Sequence, residues 1–168
     1  EIRYVDAEGR QWPTSAAVAA GLHRRSQVVV RYADGTITAA NGHASDTLRA
    51  VVAGRSVELP PTGYMGWTED GTVDVFSGLV NGRRCDYAET PEYVYLDSRG
   101  APVRLRRAAG AGLAICRALD GGWEVIPYDQ AECGFAVDAV AAVALDVENR
   151  ELGPAEWRRS RGLLWVLP

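Results

Sequence analysis

Short apolar runs of alternating polarity, separated by turn dipeptides, pattern the chain from end to end. In QVVVRY, Val28, Val30 and Tyr32 fall on one face while Gln27, Val29 and Arg31 fall on the other, the two-residue period of a half-buried strand. PVRLRR sorts Val103 and Leu105 inward and Arg104 and Arg106 outward. VAAVALDV places Val143, Leu145 and Val147 on one face and small alanines on the other. Between such runs stand Asp34-Gly35, Asn41-Gly42, Asp70-Gly71, Asn81-Gly82 and Asp120-Gly121, dipeptides that accept positive φ in tight hairpins.

Read this way, strands are predicted near 2–5, 26–32, 36–40, 47–53, 56–59, 63–67, 72–76, 83–87, 92–97, 102–106, 112–119, 123–126, 131–137, 140–147 and 162–167. One short helix is predicted in PTSAAVAAG, with Thr14 or Ser15 as N-cap and Gly21 as the stop. The expected fold is all-β: an antiparallel β-sandwich of two packed small units, because two sheets bury each other's apolar faces. The flexible segment RRAAGAG, Arg106–Gly112, is the predicted seam, giving a unit over 1–107 and a smaller one over 108–168. No internal repeat stands out.

Composition narrows the functional classes. The chain has 168 residues and 47% hydrophobic content, enough for a buried core. Its net charge is −4, and the arginine pairs are scattered instead of forming a basic stripe, so no nucleic-acid partner is expected. No apolar run reaches the length of a membrane helix, and no membrane partner is expected. All 18 basic residues are arginine. Cys85, Cys116 and Cys133 lack CxxC spacing, so buried free thiols are expected in place of disulfides or structural zinc. The chain opens at Glu1 without an initiator Met, as a mature product or a piece of a longer chain does.

The densest candidate for chemistry is CDYAETPEYVYLD, with Asp86, Glu89, Glu92 and Asp97 around two tyrosines. Acid and base in a glycosidase-type site face each other across a cleft at roughly 5 to 10 Å, in contrasting environments. Here Glu89 and Glu92 flank Thr90-Pro91 at a strand entry, and Asp97 opens the turn DSRG, so the stretch reads as scaffold. His23 and His43 have no second histidine at ligand spacing. No GxSxG elbow is present. Asp70, Asp74, Asp120, Asp138 and Glu148 lie near turns but form no calcium loop. No catalytic residue, metal ligand or cofactor is therefore assigned.

Aromatic residues are the stronger binding feature. Trp12, Trp123, Tyr93 and Tyr95 are the candidates for a platform on which sugar rings stack; the competing reading places such residues in the core. Three stretches point the same way. RYADGTITAANG (31–42), ELPPTGYMGW (58–67) and ELGPAEWRRSRGLLWVLP (151–168) resemble the β-sandwich region that follows the catalytic (β/α)₈ barrel in some large bacterial glycoside hydrolases. The resemblance implies a non-catalytic accessory region whose partner is the catalytic domain of the parent chain, with glycan contact as a further role. It implies a secreted or periplasmic parent, and it transfers no catalytic residue. Two other classes are weighed: a free-standing carbohydrate-binding module, and a small hydrolase working through carboxylates such as Glu89 and Glu92.

Overall fold

The computed structural model describes residues 1–129 and 132–167. Strand accounts for 53% of the chain and helix for 6%, so the all-β expectation stands. Contacts divide the chain into two compact units, Glu1–Ala88 and Glu89–Pro168.

The first unit runs β1 (Ile2–Val5), β2 (Gln11–Pro13), α1 (Thr14–Ala19), a 3₁₀ turn (Leu22–Arg25), β3 (Gln27–Arg31), β4 (Thr36–Asn41), β5 (Leu48–Val52), β6 (Arg55–Leu59), β7 (Tyr64–Thr68), β8 (Asp74–Val80) and β9 (Arg83–Glu89). Its main sheet has the order β9-β8-β7-β4-β3-β1-β2, while β5 and β6 form a separate hairpin. Alternation decides which residues the hairpin covers. Val5, Val29, Ile37, Ala39 and Trp67 project from the main sheet into one cluster with Leu48, Val52, Val57 and Leu59 of the hairpin. The buried face of β3 is thus Gln27 and Val29, and Tyr32 is exposed.

Turn chemistry sets the register. Gly35, Gly71, Gly82 and Gly121 adopt positive φ as the dipeptides predict. Asn41-Gly42 departs from that expectation because Asn41 is a buried strand residue. Its amide nitrogen donates to the carbonyls of Asp46 and Leu59, both at 2.8 Å, and Gly42 continues in line against Ser26. The helix also starts differently: Pro13 holds the N-cap position, and the Thr14 hydroxyl donates to the Ile2 carbonyl at 3.1 Å.

The second unit comprises β10 (Tyr93–Asp97), β11 (Val103–Arg104), β12 (Ala108–Gly110), β13 (Leu113–Leu119), β14 (Gly122–Pro127), β15 (Cys133–Phe135), β16 (Val143–Leu145), β17 (Glu151–Pro154), β18 (Trp157–Ser160) and β19 (Leu163–Val166). Strands β14-β13-β10 form one layer, β11-β12-β15-β19-β18 a five-stranded sheet, and β16-β17 a lone hairpin. Val94, Leu96, Ala114 and Cys116 on the inner face of β10 and β13 are buried, as are Ala108, Cys133, Phe135 and Leu164 of the five-stranded sheet. The seam expected at 106–112 is instead the buried strand β12, because small Ala108 and Ala109 pair across to Phe135 and Gly134. Ala131, in the strand expected at 131–137, lies outside the described residues. Gly134 gives room for an aromatic ring: a Cβ there would stand 2.7 Å from the Trp165 ring, on which the Arg158 guanidinium also stacks at 5.2 Å.

One repetition escapes the sequence reading. The β1–β2 turn is Asp6-Ala7-Glu8-Gly9-Arg10 and the β16–β17 turn is Asp146-Val147-Glu148-Asn149-Arg150, with the same hydrogen bonds. Asp6 Oδ1 accepts the backbone N–H of Glu8 and Arg10 at 3.0 and 2.8 Å, and Oδ2 accepts Arg10 Nε at 2.8 Å. Asp146 Oδ1 accepts the N–H of Glu148 and Arg150 at 2.8 and 2.9 Å, and Oδ2 accepts Arg150 Nε at 2.8 Å. The fourth turn residue has positive φ in both, +82° at Gly9 and +62° at Asn149. Glycine is required at 9 because a Cβ would meet the Arg49 carbonyl oxygen at 2.3 Å, whereas Asn149 is exposed.

Asp6 is buried and also accepts Trp12 Nε1 at 2.8 Å. Burial pushes its carboxyl pKa up, but the hydrogen bonds from Trp12 and Arg10 and the Arg10 charge outweigh it and bring it down to about 2. Asp6→Ala should therefore cost about 2–3 kcal/mol, since several donors lose a charged acceptor, and Asp146→Ala, at the more open turn, clearly less, both read by urea denaturation. Because the folded pKa lies below the usual 3.8, the stability that Asp6 contributes is complete above about pH 4 and is lost as pH falls toward 2. Asp6→Asn should flatten that acid limb of the stability curve.

Candidate functional site

The acidic stretch comes apart in the fold. Alternation along β9 turns Cys85, Tyr87 and Glu89 inward, and Asp86 half-outward. Glu89 is buried at 1% exposure and forms an ion pair with the Arg106 guanidinium. Arg107 Nη1 fixes the adjoining turn by donating to the Thr90 carbonyl at 3.0 Å. Glu92 is exposed, and its carboxylate accepts the Thr90 hydroxyl at 2.9 Å. Asp97 Oδ1 accepts the Arg99 N–H at 2.8 Å in the turn that follows β10. Glu89 and Glu92 thus share no cleft: one is sealed by a cation, the other lies on the surface.

Two depressions in the first unit hold carboxylates. The larger, of about 430 Å³, lies between Glu8 and Glu58, and each has an arginine partner, Arg10 Nη2 at 3.1 Å and Arg49 Nε at 2.9 Å. The other, of about 180 Å³, is lined by Glu1, Arg3, Gln11 and Arg31. Glu1 is engaged by Arg3, whose hydrogen bond and charge lower its pKa. In both depressions the carboxylates are thus engaged by neighbouring arginines.

The loop after β4 brings Ser45, His43 and Asp46 together, but not as a nucleophilic triad. His43 Nδ1 accepts the N–H of Ser45 and Asp46 at 3.2 and 2.9 Å, and the Ser45 hydroxyl donates to Asp46 at 3.1 Å, not to the imidazole. Arg25 closes the loop on Asp46 at 3.0 Å. Among the described residues, no three His, Cys, Asp or Glu side chains gather in a way that would hold a metal ion. Among the described residues, no helix is long and apolar enough to cross a membrane.

The aromatic candidates separate by face. Tyr93 and Tyr95 lie on the outer face of β10, since Val94 and Leu96 between them are buried. Antiparallel register sets Arg117 beside Tyr93 and Ile115 beside Tyr95, then Glu124 beside Arg117 and Ile126 beside Ile115. Arg117 and Glu124 form an ion pair across this face. The result is a half-exposed strip of two rows, Tyr93 in line with the charge pair Arg117–Glu124 and Tyr95 in line with Ile115 and Ile126. Trp123 pairs with Ala118, one residue out of phase, and so falls on the opposite face of the same layer. Trp12 belongs to the first unit, its indole N–H committed to Asp6. Of the four residues, only Tyr93 and Tyr95 are brought together. Ile115, Arg117, Glu124 and Ile126 complete their surface; they were missed because membership of a face depends on cross-strand register.

These features define an antiparallel all-β protein of sandwich type. The sequence matches no family model, and no curated protein or solved structure shows significant similarity to it.

The three cysteines take no part in the strip. All are buried, and burial raises the thiol pKa of Cys116 to about 12 and of Cys133 to about 11. In the native chain near pH 8, a disulfide reagent should therefore label Cys116 and Cys133 at least about tenfold more slowly than in urea-unfolded chain, scored by mass spectrometry.

Proposed function

We propose that this chain is a non-catalytic accessory β region of a carbohydrate-active enzyme, one that braces a catalytic domain and contacts glycan through the Tyr93–Tyr95 strip. The observation that carries the reading is this strip, where two phenols and two isoleucines share an accessible face with a charge pair at its rim. A pyranose ring presents an apolar face and a hydroxylated edge, which suits such a strip: rings stack on phenol and isoleucine while hydroxyls meet Arg117 and Glu124. The engagement of Glu89 by Arg106 supports a structural role for the acidic stretch. The glycoside hydrolase context comes from the resemblance of residues 31–42, 58–67 and 151–168.

Calorimetric titration of the chain against a panel of soluble polysaccharides tests the proposal. Binding to at least one glycan is expected, weakened about tenfold or more, roughly 1.4 kcal/mol, by Tyr93→Ala with Tyr95→Ala. Glu92→Gln should leave binding unchanged, and no reducing ends should be released. A panel without binding, or cleavage that Glu92→Gln abolishes, would overturn the reading.

A further inference from the structure

The chain's three asparagines, Asn41, Asn81 and Asn149, meet different surroundings. Asn41 and Asn81 both precede glycine, whose missing side chain leaves its backbone nitrogen unshielded. Such a nitrogen can close a five-membered ring on the amide carbon of the asparagine before it, provided both groups are free to approach. At Asn41 neither is free. The residue is 1% exposed, its Nδ2 donates to the carbonyls of Asp46 and Leu59, and its Oδ1 accepts Gln27 Nε2 and the His43 N–H, both at 3.1 Å. The attacking nitrogen is held as well, since the Gly42 N–H donates to the Ser26 carbonyl at 2.7 Å. At Asn149 the following nitrogen belongs to Arg150, which carries a bulky side chain and whose N–H donates to Asp146 Oδ1 at 2.9 Å.

Asn81 and Gly82 form the turn between β8 and β9, at φ +52° and +76°, and both are exposed. Among the described residues, no hydrogen bond holds the Asn81 amide or the Gly82 N–H. A Cβ at Gly82 would meet no atom within 4 Å, so glycine serves the φ of the turn and the space around it is open. We infer that Asn81 is a site of spontaneous covalent modification, converted to an isoaspartyl or aspartyl residue, while Asn41, in the same dipeptide, is preserved by the fold. The Gly82 nitrogen gives its proton to hydroxide and attacks Asn81 Cγ. The new C–N bond closes a succinimide as the Cγ–Nδ2 bond breaks, and the leaving nitrogen takes a proton from water and departs as ammonia. Water then adds to either ring carbonyl and opens the ring, so one water is consumed and one ammonia released with no change of oxidation state. The isoaspartyl product lengthens the main chain of the turn by one atom. It also sets a carboxylate next to Arg83 and Arg84, of which Arg84 holds Ser77 and the Pro61 carbonyl. This inference does not rest on the glycan reading, and its test uses no glycan.

The test incubates the full chain in mildly alkaline buffer, natively and in urea, and reads its peptides by mass spectrometry with fragmentation that separates isoaspartyl from aspartyl. In the native chain, conversion at 81 should run at least about tenfold faster than at 41 or 149, because reaction at those two awaits local opening. In urea the difference between 41 and 81 should nearly vanish, since both are then free Asn-Gly dipeptides, whereas 149 should stay slow. In heavy-oxygen water the label should enter the new carboxylate at 81. Asn81→Ser, at an exposed turn, should keep the native circular dichroism and remove the acidic variant that otherwise accumulates on ion exchange. The inference is overturned if 81 stays unchanged in the native chain, if 41 or 149 converts there as fast as 81, or if 41 remains slow in urea. It is equally overturned if 81 yields aspartyl product alone, if the label does not enter, or if the Asn81→Ser chain still forms the acidic variant.

Discussion

An antiparallel strand exposes alternate residues on two faces, and in this chain one face of nearly every strand is apolar enough to need cover. Where cover exists, the structure follows from it. In the first unit, Val5, Val29, Ile37 and Trp67 descend from four strands of one sheet, and the β5–β6 hairpin closes over them with Leu48, Val52, Val57 and Leu59. Gln27 and Asn41 lie on that same inward row and are fully buried, which is tolerable because they hydrogen-bond each other at 3.1 Å and Asn41 satisfies two backbone carbonyls. A polar pair in the row thus anchors the loop of residues 42–47 without leaving an unmet donor on Asn41.

Charge is used mainly to hold that arrangement. The arginines act as planar clamps: Arg55 spans Asp74 at 2.8 Å while stacking on Trp67, and Arg84 gathers Ser77, Thr62 and the Pro61 carbonyl. Aspartates take the complementary task of ordering turns, with Asp6, Asp34, Asp70, Asp97 and Asp146 each accepting a backbone N–H two residues on. In Asp6, Asp34, Asp70 and Asp146 these hydrogen bonds favour the ionised form and lower the carboxyl pKa. A general acid needs the reverse, a carboxyl held above its usual range.

The legible part of the fold was the part written in short-range signals. Hairpins with Gly at positive φ and strands such as QVVVR, where β-branched residues run together, could be read directly. Strand β2 was not, because it is three residues long and contains Pro13, which is tolerated only at a sheet edge, where the structure puts it. Strand β12 carries the sequence signature of a flexible seam, since Ala-Ala-Gly lacks bulk; the bulk comes from Phe135 across the ladder. The run 140–147 had the right period, but period does not say whether a face is covered, and Val143, Leu145 and Val147 are exposed. At the candidate site Tyr93 and Tyr95 were legible as same-face neighbours, whereas the exclusion of Trp123 needed its register with Ala118.

The repeated turn shows how one local solution serves two ends. The Asp-x-Glu-x-Arg cage fixes hairpin geometry through five residues and is indifferent to what lies beyond them. At Gly9 the carbonyl of Arg49 sits where a side chain would begin, so this copy is adapted to being covered. At Asn149 the requirement for a missing Cβ is absent, and the flanking strand keeps Val143 and Leu145 where polar residues would be the safer choice for permanent exposure. An apolar face retained on a geometrically pinned hairpin stabilises nothing within the hairpin alone. The order of this hairpin is therefore carried by the Asp146 bonds to the Glu148 and Arg150 backbone and by its own ladder, whereas the first hairpin draws in addition on the burial of Val5.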